Sequence, residues 1–203
     1  MKIFACGSLI VAMLFVFPAE AQQNVNGCQI KRKTSCPNAN LAGADLTKSN
    51  LSGADLSGAN LSGANLSGDK ITEVNLIKAN LSNADLSNAN LSETYMTGAN
   101  LSHANLAKAN LSQSSLPDAT LREANLAEAN LSLANLKGAD LTGANAKGAA
   151  FIMTRLTNAN LTRVDLTGAS LIGTDLSKTI LEDAIFCKTT MPDRSMNNSG
   201  CPK

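Results

Sequence analysis

His103 is the only histidine of this 203-residue chain, and it is therefore the first residue to consider for acid–base catalysis. A Ser-His-Asp hydrolase would place such an imidazole beside an activated serine. Serines are abundant, but nearly all of them occupy one position of a short repeat, as in Leu101-Ser102, where serine is a turn residue. No serine is therefore singled out as a nucleophile, and we predict that the protein is not an enzyme.

Carboxylates are the second group that could do chemistry. Asp45, Asp85 and Asp165 lie multiples of twenty residues apart, and asparagines occupy positions 65, 105, 125 and 145 of the same series. Carboxylates close to one another would bind calcium or share a proton. Whether these three approach one another depends on the elements that carry them.

Those elements follow an unbroken five-residue period from residue 39 to residue 186. Stepping by five from Leu41 to Phe186 gives 30 central positions, of which 25 are leucine, and alanine stands two residues before 21 of them. The other central residues are Ile71, Met96, Ala146, Phe151 and Phe186. In an extended segment, residues two apart point to one face. Leucine and alanine are therefore the predicted core, and the asparagine or aspartate between them is predicted to point outward.

The two residues after each central position have turn chemistry, as in Ala54-Asp55-Leu56-Ser57-Gly58. Glycine supplies the positive φ of a type II turn, and asparagine tolerates it. Glu73, Lys78 and Glu128 stand at the same position and predict turns of another type there. Each unit is thus one short extended edge and one corner, and a chain that turns the same way at every corner winds into a solenoid.

The repeated motif Ala-(Asn/Asp)-Leu-(Ser/Thr)-Gly resembles the pentapeptide repeat family, over about three quarters of the chain. This resemblance implies an all-β fold, a right-handed quadrilateral parallel β-helix with four pentapeptides per coil. Thirty units would then form about seven and a half coils. Stacked strands lie about 4.8 Å apart, so aspartates two coils apart would be separated by about 10 Å. That is too far for a compact calcium site, and we predict no metal and no cofactor.

Residues 1–21 have the pattern of a secretory signal peptide. A short basic start precedes an apolar run from Ile3 to Phe17, and Ala19-Glu20-Ala21 resembles a cleavage site. The apolar run is short for a membrane span. We expect export to a periplasmic or secreted location and no stable membrane insertion after cleavage, with an uncleaved anchor as the alternative.

Cleavage would leave four cysteines, Cys28, Cys36, Cys187 and Cys201, which in an exported chain indicate two disulfides. The rod would hold the two pairs apart, so Cys28–Cys36 and Cys187–Cys201 are expected, with free thiols or metal ligands as the alternative. Residues 22–38 and 187–203 are predicted to cap the two ends of the repeat domain, residues 39–186, where strand edges would otherwise be exposed. Arg194 stands where the closing motif of the family has glycine, so a differently built turn is expected there.

Stepping by twenty residues also reveals an outward apolar strip near the C-terminal end. It consists of Leu133, Ala150, Ile152, Met153 and Ile172. Exposed apolar patches often mark interfaces, so a homodimer or a protein partner is expected here. Coverage by the C-terminal tail and sequence drift without function are the alternatives. Ile180 and Ile185 are expected to lie beneath the C-terminal cap.

Charge separates the remaining function classes. The chain has 17 basic and 16 acidic residues, a formal net charge of +1. A DNA-mimicking topoisomerase inhibitor, a role known in the family, would need a strongly negative stripe. Nucleic-acid binding is not expected, because basic residues are scattered and Tyr95 is the only tyrosine in a chain without tryptophan. The sequence favours a noncatalytic exported rod that serves as a structural or protein-interaction scaffold.

Overall fold

The computed structural model describes residues 23–202, which contain four named strands and a long series of single bridging residues. The strands are β1 (Gln23–Val25), β2 (Cys28–Ile30), β3 (Thr189–Thr190) and β4 (Met196–Asn197), and they form two antiparallel pairs, β1 with β2 and β3 with β4. Between the two pairs, each pentapeptide contributes one two-residue corner and, except at Asn50, one bridging residue. The described residues form no helix.

Parallel bridges join residues that are twenty positions apart. Asn40 pairs with Asn60, and Asn60 pairs with Asn80. The backbone N–H of Leu41 donates to the carbonyl of Asn60 at 2.7 Å, and the N–H of Asn60 donates back to the carbonyl of Ala39 at 2.9 Å. Four pentapeptides therefore separate each residue from its partner in the next layer, and residues with numbers twenty apart form a column.

The interior consists of the leucine and alanine columns. Leu56, Leu101 and Leu136 are fully buried, and alanines such as Ala59 and Ala104 are equally inaccessible. The Ala-Asn-Leu spacing places both apolar side chains inward on each edge because side chains alternate along extended backbone. Small alanines let the edges approach while leucines fill the space between them, as close packing requires.

Corners keep one backbone geometry whatever residue occupies them. Glu73, Lys78 and Glu128 have φ of 59°, 58° and 58°, close to the 66° of Gly58. The expectation of another turn type at these three residues is therefore wrong. The N–H of Lys78 donates to Thr97 O at 2.9 Å, as the N–H of Gly58 does to Ile77 O. These inter-coil hydrogen bonds hold non-glycine residues in the left-handed region, which otherwise costs roughly 1–2 kcal/mol per residue.

Outward asparagines stabilise both the corners and the stacking of coils. The Oδ1 of Asn110 accepts the N–H of Ser112 at 3.1 Å, two residues along the chain. The Nδ2 of Asn110 donates to Oδ1 of Asn90 at 3.1 Å, one coil earlier. Asparagine meets both requirements at once because its side chain has an acceptor and a donor.

The N-terminal hairpin lies against the first coil. Asn26 and Gly27 have φ of 49° and 84°, the left-handed pair that tight hairpins favour. Asn26 Nδ2 donates to the carbonyl of Asn40, and Gln23 Nε2 donates to the carbonyl of Asp45, both at 2.8 Å. These two carbonyls face the end of the ladder, so side chains of the hairpin replace the missing coil. Cys28 and Ile30 are buried and join the core.

The C-terminal end is covered less completely. Strand β4 pairs with β3 through Thr190 and Met196, and Thr190 continues the column of Ser170. Arg194 has a φ of 71°, so it keeps the left-handed conformation that a glycine would adopt, and the expectation of a different turn there is not met.

The cap leaves Ile180 exposed and covers Ile185 only in part. The two side chains are 51% and 39% exposed, respectively, and Gly200 of the tail lies against Ile185, so the expectation that the cap covers both residues is wrong for Ile180. Phe186 is only partly buried against the core, and the tail crosses it where the N–H of Gly200 donates to its carbonyl at 2.8 Å.

One break in the ladder is repaired by a buried carboxylate. Asn50 has a φ of 47° and forms no parallel bridge, unlike its neighbours among the described residues. Its N–H donates to Oδ1 of Asp69 at 3.0 Å, and the hydroxyl of Ser49 donates to Oδ2 at 2.5 Å. Asp69 is 4% exposed and stands where most units have alanine.

We predict that Asp69→Ala lowers the free energy of unfolding by about 1–3 kcal/mol, because the Asn50 N–H and the Ser49 hydroxyl lose their acceptor in a largely buried place. Asp69→Asn retains one acceptor oxygen and should cost less. Urea denaturation of the three proteins measures the difference. Equal losses for the two variants would show that the carboxylate does not act as an acceptor for the break.

A second prediction concerns Ala146 and Phe151, which are consecutive central residues and are both fully buried. Phe151 supplies volume where Ala146 lacks it, so Phe151→Leu alone should leave a void and cost about 1–2 kcal/mol. Adding Ala146→Leu should largely restore the melting temperature. If the two substitutions instead gave additive losses, the two positions would not compensate for each other.

Candidate interaction surface

The residues first considered for catalysis serve local structure. His103 is exposed, and its Nδ1 lies 3.5 Å from Oε2 of Glu123, which is also exposed. The hydroxyl of Ser102 donates to Oδ1 of Asn100 at 2.7 Å, within its own turn. The structure therefore gives Ser102 a partner other than the imidazole beside it in sequence.

The aspartate series forms one column, with Asp45 bridged to Asn65 and Asn65 bridged to Asp85. Asparagine extends the ladder, since Asn105 Nδ2 donates to Oδ1 of Asp85 at 3.0 Å. Within residues 23–202, no group of three or more histidine, cysteine or acidic residues is arranged to hold a metal ion.

Hydrogen bonds from hydroxyl groups and turn amides lower the pKa of several aspartates. Asp175 accepts the hydroxyl of Ser177 at 2.5 Å, the N–H of Ser177 at 2.9 Å and the hydroxyl of Thr157 at 2.8 Å. These hydrogen bonds favour the charged form and lower the pKa of Asp175 to about 2. Arg155, in the adjacent coil, contributes a smaller lowering.

Burial and hydrogen bonding have opposite effects on the pKa of Asp165. Partial burial raises the pKa of Asp165, but hydrogen bonds from Thr167 and the Lys147 ammonium 3.1 Å away outweigh it, so the pKa is lowered. Hydrogen bonds and a neighbouring ammonium group thus favour the charged form of Asp165 despite its partial burial.

Two disulfides close the ends. Cys28 is bonded to Cys36 and Cys187 to Cys201, the same pairs that the separation of the rod ends predicts. Each bond joins residues at one end of the repeat domain, eight and 14 positions apart in sequence. The disulfides therefore tie each terminal segment to itself and leave the coils between them unconstrained.

The apolar strip comes together in consecutive coils. The N–H of Leu133 donates to Ile152 O at 2.9 Å, and the N–H of Met153 donates to Ile172 O at 2.8 Å. Leu133 is 56% exposed and Met153 is 60% exposed, whereas Ile152 and Ile172 are half-buried. The tail does not cover the two most exposed members.

Backbone packing shapes this strip. Ala150 bridges Asn130 and Ser170, and it is half-buried beside the corner that carries Met153. A β-carbon at Gly173 would lie 3.4 Å from Met153 Cγ, so the methionine rests on the next corner. Small residues beside large ones produce a shallow, ridged apolar surface.

Sequence reasoning missed two exposed apolar residues that belong to the same side of the rod. Tyr95 is 55% exposed and lies in the column that continues through Ser115, Asn135 and Arg155. We call the side defined by this column and its two flanking corners the tyrosine face. The corner before it carries Leu133 and Met153, and the corner after it carries Ile77, which is 36% exposed. Sorting all apolar outward residues by their position in the twenty-residue period would have found them.

The inward residues of the tyrosine face also differ from those of the rest of the repeat. Its alanine positions are largely replaced by bigger or polar residues, namely Val74, Thr94, Ser114, Thr154 and Thr174. The hydroxyl of Thr154 donates to Leu131 O at 2.7 Å, and that of Thr94 donates to Leu91 O at 2.7 Å. These bonds satisfy the buried hydroxyls and hold the carbonyls at the corner before the face. The column of Tyr95 is thus distinguished from the other three columns of bridging residues both inside and outside.

The repeat architecture defines the class of protein. The family model described as pentapeptide repeats matches eight copies, over residues 35–68, 75–113, 104–143, 114–151 and 152–186. Together these spans cover well over half of the chain. The protein belongs to the pentapeptide repeat family.

Solved structures of this family resemble the chain in part. HetL, from the cyanobacterium Nostoc sp. strain PCC 7120, is 28% identical, with 82% of this chain and 90% of HetL covered and a TM-score of 0.44. Rfr23, from the cyanobacterium Cyanothece 51142, is 38% identical over 55% of this chain and 63% of its own, with a TM-score of 0.34. QnrB1, a plasmid-mediated fluoroquinolone resistance protein, is 23% identical over 72% of this chain and 79% of its own in a trypsin-treated variant, with a TM-score of 0.35. No curated protein matches the chain.

The hydrogen bonds to Asp175 predict a pH dependence. Because its pKa is about 2 in the folded protein and ordinarily 3.8, the stabilisation is present above pH 4 and is lost as the pH falls towards 2. The melting temperature should therefore decline in that window, and Asp175→Asn should make the decline shallower. An unchanged slope in the variant would assign the acid sensitivity to other carboxylates.

Proposed function

We propose that the protein is an exported, noncatalytic rod that acts as a structural or protein-interaction scaffold and uses the apolar strip as its docking surface. The observation that carries this proposal is the exposure of Leu133 and Met153 at the same corner of successive coils in a hydrogen-bonded ladder. A rigid ladder presents such side chains without the ordering cost that a flexible loop would incur on binding.

Export is supported by the two disulfides, which are compatible with an oxidising compartment. The proposed signal peptide, residues 1–21, lies outside the described residues. Among the residues that the structure describes, no helix is long and apolar enough to cross a membrane.

We also propose a handedness, a coil shape and two caps for the rod. The rod winds right-handed as a quadrilateral β-helix of about seven and a half coils over residues 39–186, and residues 22–38 and 187–203 act as its caps. The bridges between residues twenty apart support four pentapeptides per coil, and the hydrogen bonds of Gln23 and Asn26 to the first coil support the N-terminal cap. The rod needs no cofactor and binds no nucleic acid.

The strip is tested by the double variant Ile152→Ser/Met153→Ser. Chemical crosslinking in the producing cells, followed by mass spectrometry of the exported fraction, should show at least one protein contact that the double variant loses. The contact is lost because two apolar side chains no longer leave water on docking.

Ile77→Ser is the matched control, since it removes an apolar corner residue four coils away from the centre of the strip and should keep the contact. The same fraction should contain chains that begin at Gln22 and have no free thiol at the four remaining cysteines. A reduced, uncleaved chain inside the cell would contradict export, and crosslinks identical in both variants would contradict docking by the strip.

A further inference from the structure

The exposed apolar residues of the coils before the last one gather on one side of the rod. Ile77, Tyr95, Leu133 and Met153 all lie on the tyrosine face or on its flanking corners. The three other faces carry asparagine ladders, such as the series from Asn105 to Asn145, at the corresponding positions. This face is therefore the one part of the described coils where large apolar side chains interrupt a polar surface.

The strip is complementary to itself. Leu133 and Met153 occupy the same corner column one coil apart, so a two-fold axis that crosses the face midway between their coils would bring Leu133 of one copy onto Met153 of another. The same operation repeats the contact in reverse, because a two-fold interface uses the same patch twice. Four exposed apolar side chains would then leave water together.

Charges on the opposite corner of the face agree with this axis. Asp118 and Lys178 share a corner column and lie three coils apart, or about 14 Å at about 4.8 Å per coil. The two residues are equally distant from the proposed axis, so each Asp118 would face Lys178 of the other copy. Both side chains are exposed, and neither takes part in an ion pair within residues 23–202.

The local structure directs Asp118 towards the axis. Its carboxylate lies against Gly138, where a β-carbon would collide with Oδ1. Glycine at this corner leaves the space that the carboxylate occupies. The Asp118 carboxylate thus leans towards the next coil, on the side of the proposed axis.

Neighbouring registers are disfavoured by like charges. An axis half a coil earlier would place Lys137 opposite Lys137 of the other copy. An axis half a coil later would place Arg155 opposite Arg155 of the other copy. A parallel arrangement of the rods would also oppose Arg155 to itself. In the antiparallel arrangement centred between Leu133 and Met153, Lys137 faces Thr157, and Arg155 faces Asn135. This register opposes Glu93 to Asp193, which continues the corner column of Leu133 and Met153, but that pair lies two and a half coils from the axis, at the edge of the contact. Like charges directly opposed at the centre of an interface are what a specific contact avoids.

We infer that the partner of the apolar strip is a second copy of this chain, docked side by side and antiparallel through the tyrosine face. The inference rests on the proposed docking role of the strip and names its occupant. Leu133 and Met153 form the centre of the contact, and the two Asp118–Lys178 pairs flank it.

The experiment uses the purified mature protein with its disulfides intact. Sedimentation equilibrium should give a dimer that Ile152→Ser/Met153→Ser abolishes. Lys178→Glu should weaken the dimer by about tenfold or more, because it opposes two acidic residues at both symmetric sites. Adding Asp118→Lys to Lys178→Glu restores opposite charges and should return the dissociation constant to within about threefold of the original. Lys78→Glu makes the same charge change in the same column, outside the contact, and should leave the dimer unchanged.

A zero-length carboxylate–amine crosslinker gives an independent readout on the unmodified protein. Mixed isotope-labelled and unlabelled chains should yield an Asp118–Lys178 link between chains, since about 14 Å within one chain is too far for such a link. A dimer that is insensitive to the charge exchange would overturn the antiparallel arrangement. A monomer at all concentrations would overturn self-docking, and a partner lost only with the strip variant in cells would then leave the proposed function standing.

Discussion

The backbone hydrogen bonds between residues twenty positions apart are the constraint on which the rest of the structure depends. Each central N–H, such as that of Leu101, donates to a carbonyl in the next coil, and each bridging N–H donates back to the preceding one. Because almost every backbone group of an edge is paired in this way, an insertion of one residue would misalign every later coil. The ladder therefore explains why the five-residue period continues without interruption, and it also forces charged residues such as Glu73 and Lys78 into left-handed corners.

This constraint separates the residues that hold the rod together from those that are free to vary. Leucine, alanine and the asparagine ladder serve folding. Hydroxyls at several corners bond within their own turn, as at Ser102, or to the next coil, as at Thr157. Outward side chains at the corners are not needed for folding, since backbone N–H groups of the corners, such as that of Lys78, are already hydrogen-bonded to the next coil. A large apolar residue at such a place, such as Met153, adds nothing to the core, and the proposed docking surface is built from such residues. In the proposed function, the side chains at these outward corners, and not the ladder, determine what the protein binds.

Much of the fold could be predicted from the repeat because it is nearly identical from unit to unit. The inward direction of leucine and alanine followed from alternation along extended backbone, and the columns of the strip followed from steps of twenty. Glu73 was misjudged because propensity favours glycine at a left-handed corner, whereas inter-coil hydrogen bonds impose that conformation on any residue. Ile180 was expected beneath a cap because it is apolar, but the tail crosses Phe186 and leaves Ile180 exposed. The repair of the ladder by Asp69 could not be foreseen, since a lone aspartate at an alanine position does not reveal which backbone groups it will meet.

The sequence by itself determined the repeat class, the core columns and the pairing of each cysteine with the other cysteine at the same end of the rod. Each of these depends on spacing along the chain. Only the tertiary structure decided that the hairpin uses Gln23 and Asn26 to complete the first coil, and that the C-terminal end stays partly open. Those outcomes depend on which groups of the terminal segments meet the coils after the chain has wound. Contacts between coils recur every twenty residues, but contacts of the terminal segments with the coils are not encoded at any fixed distance in sequence.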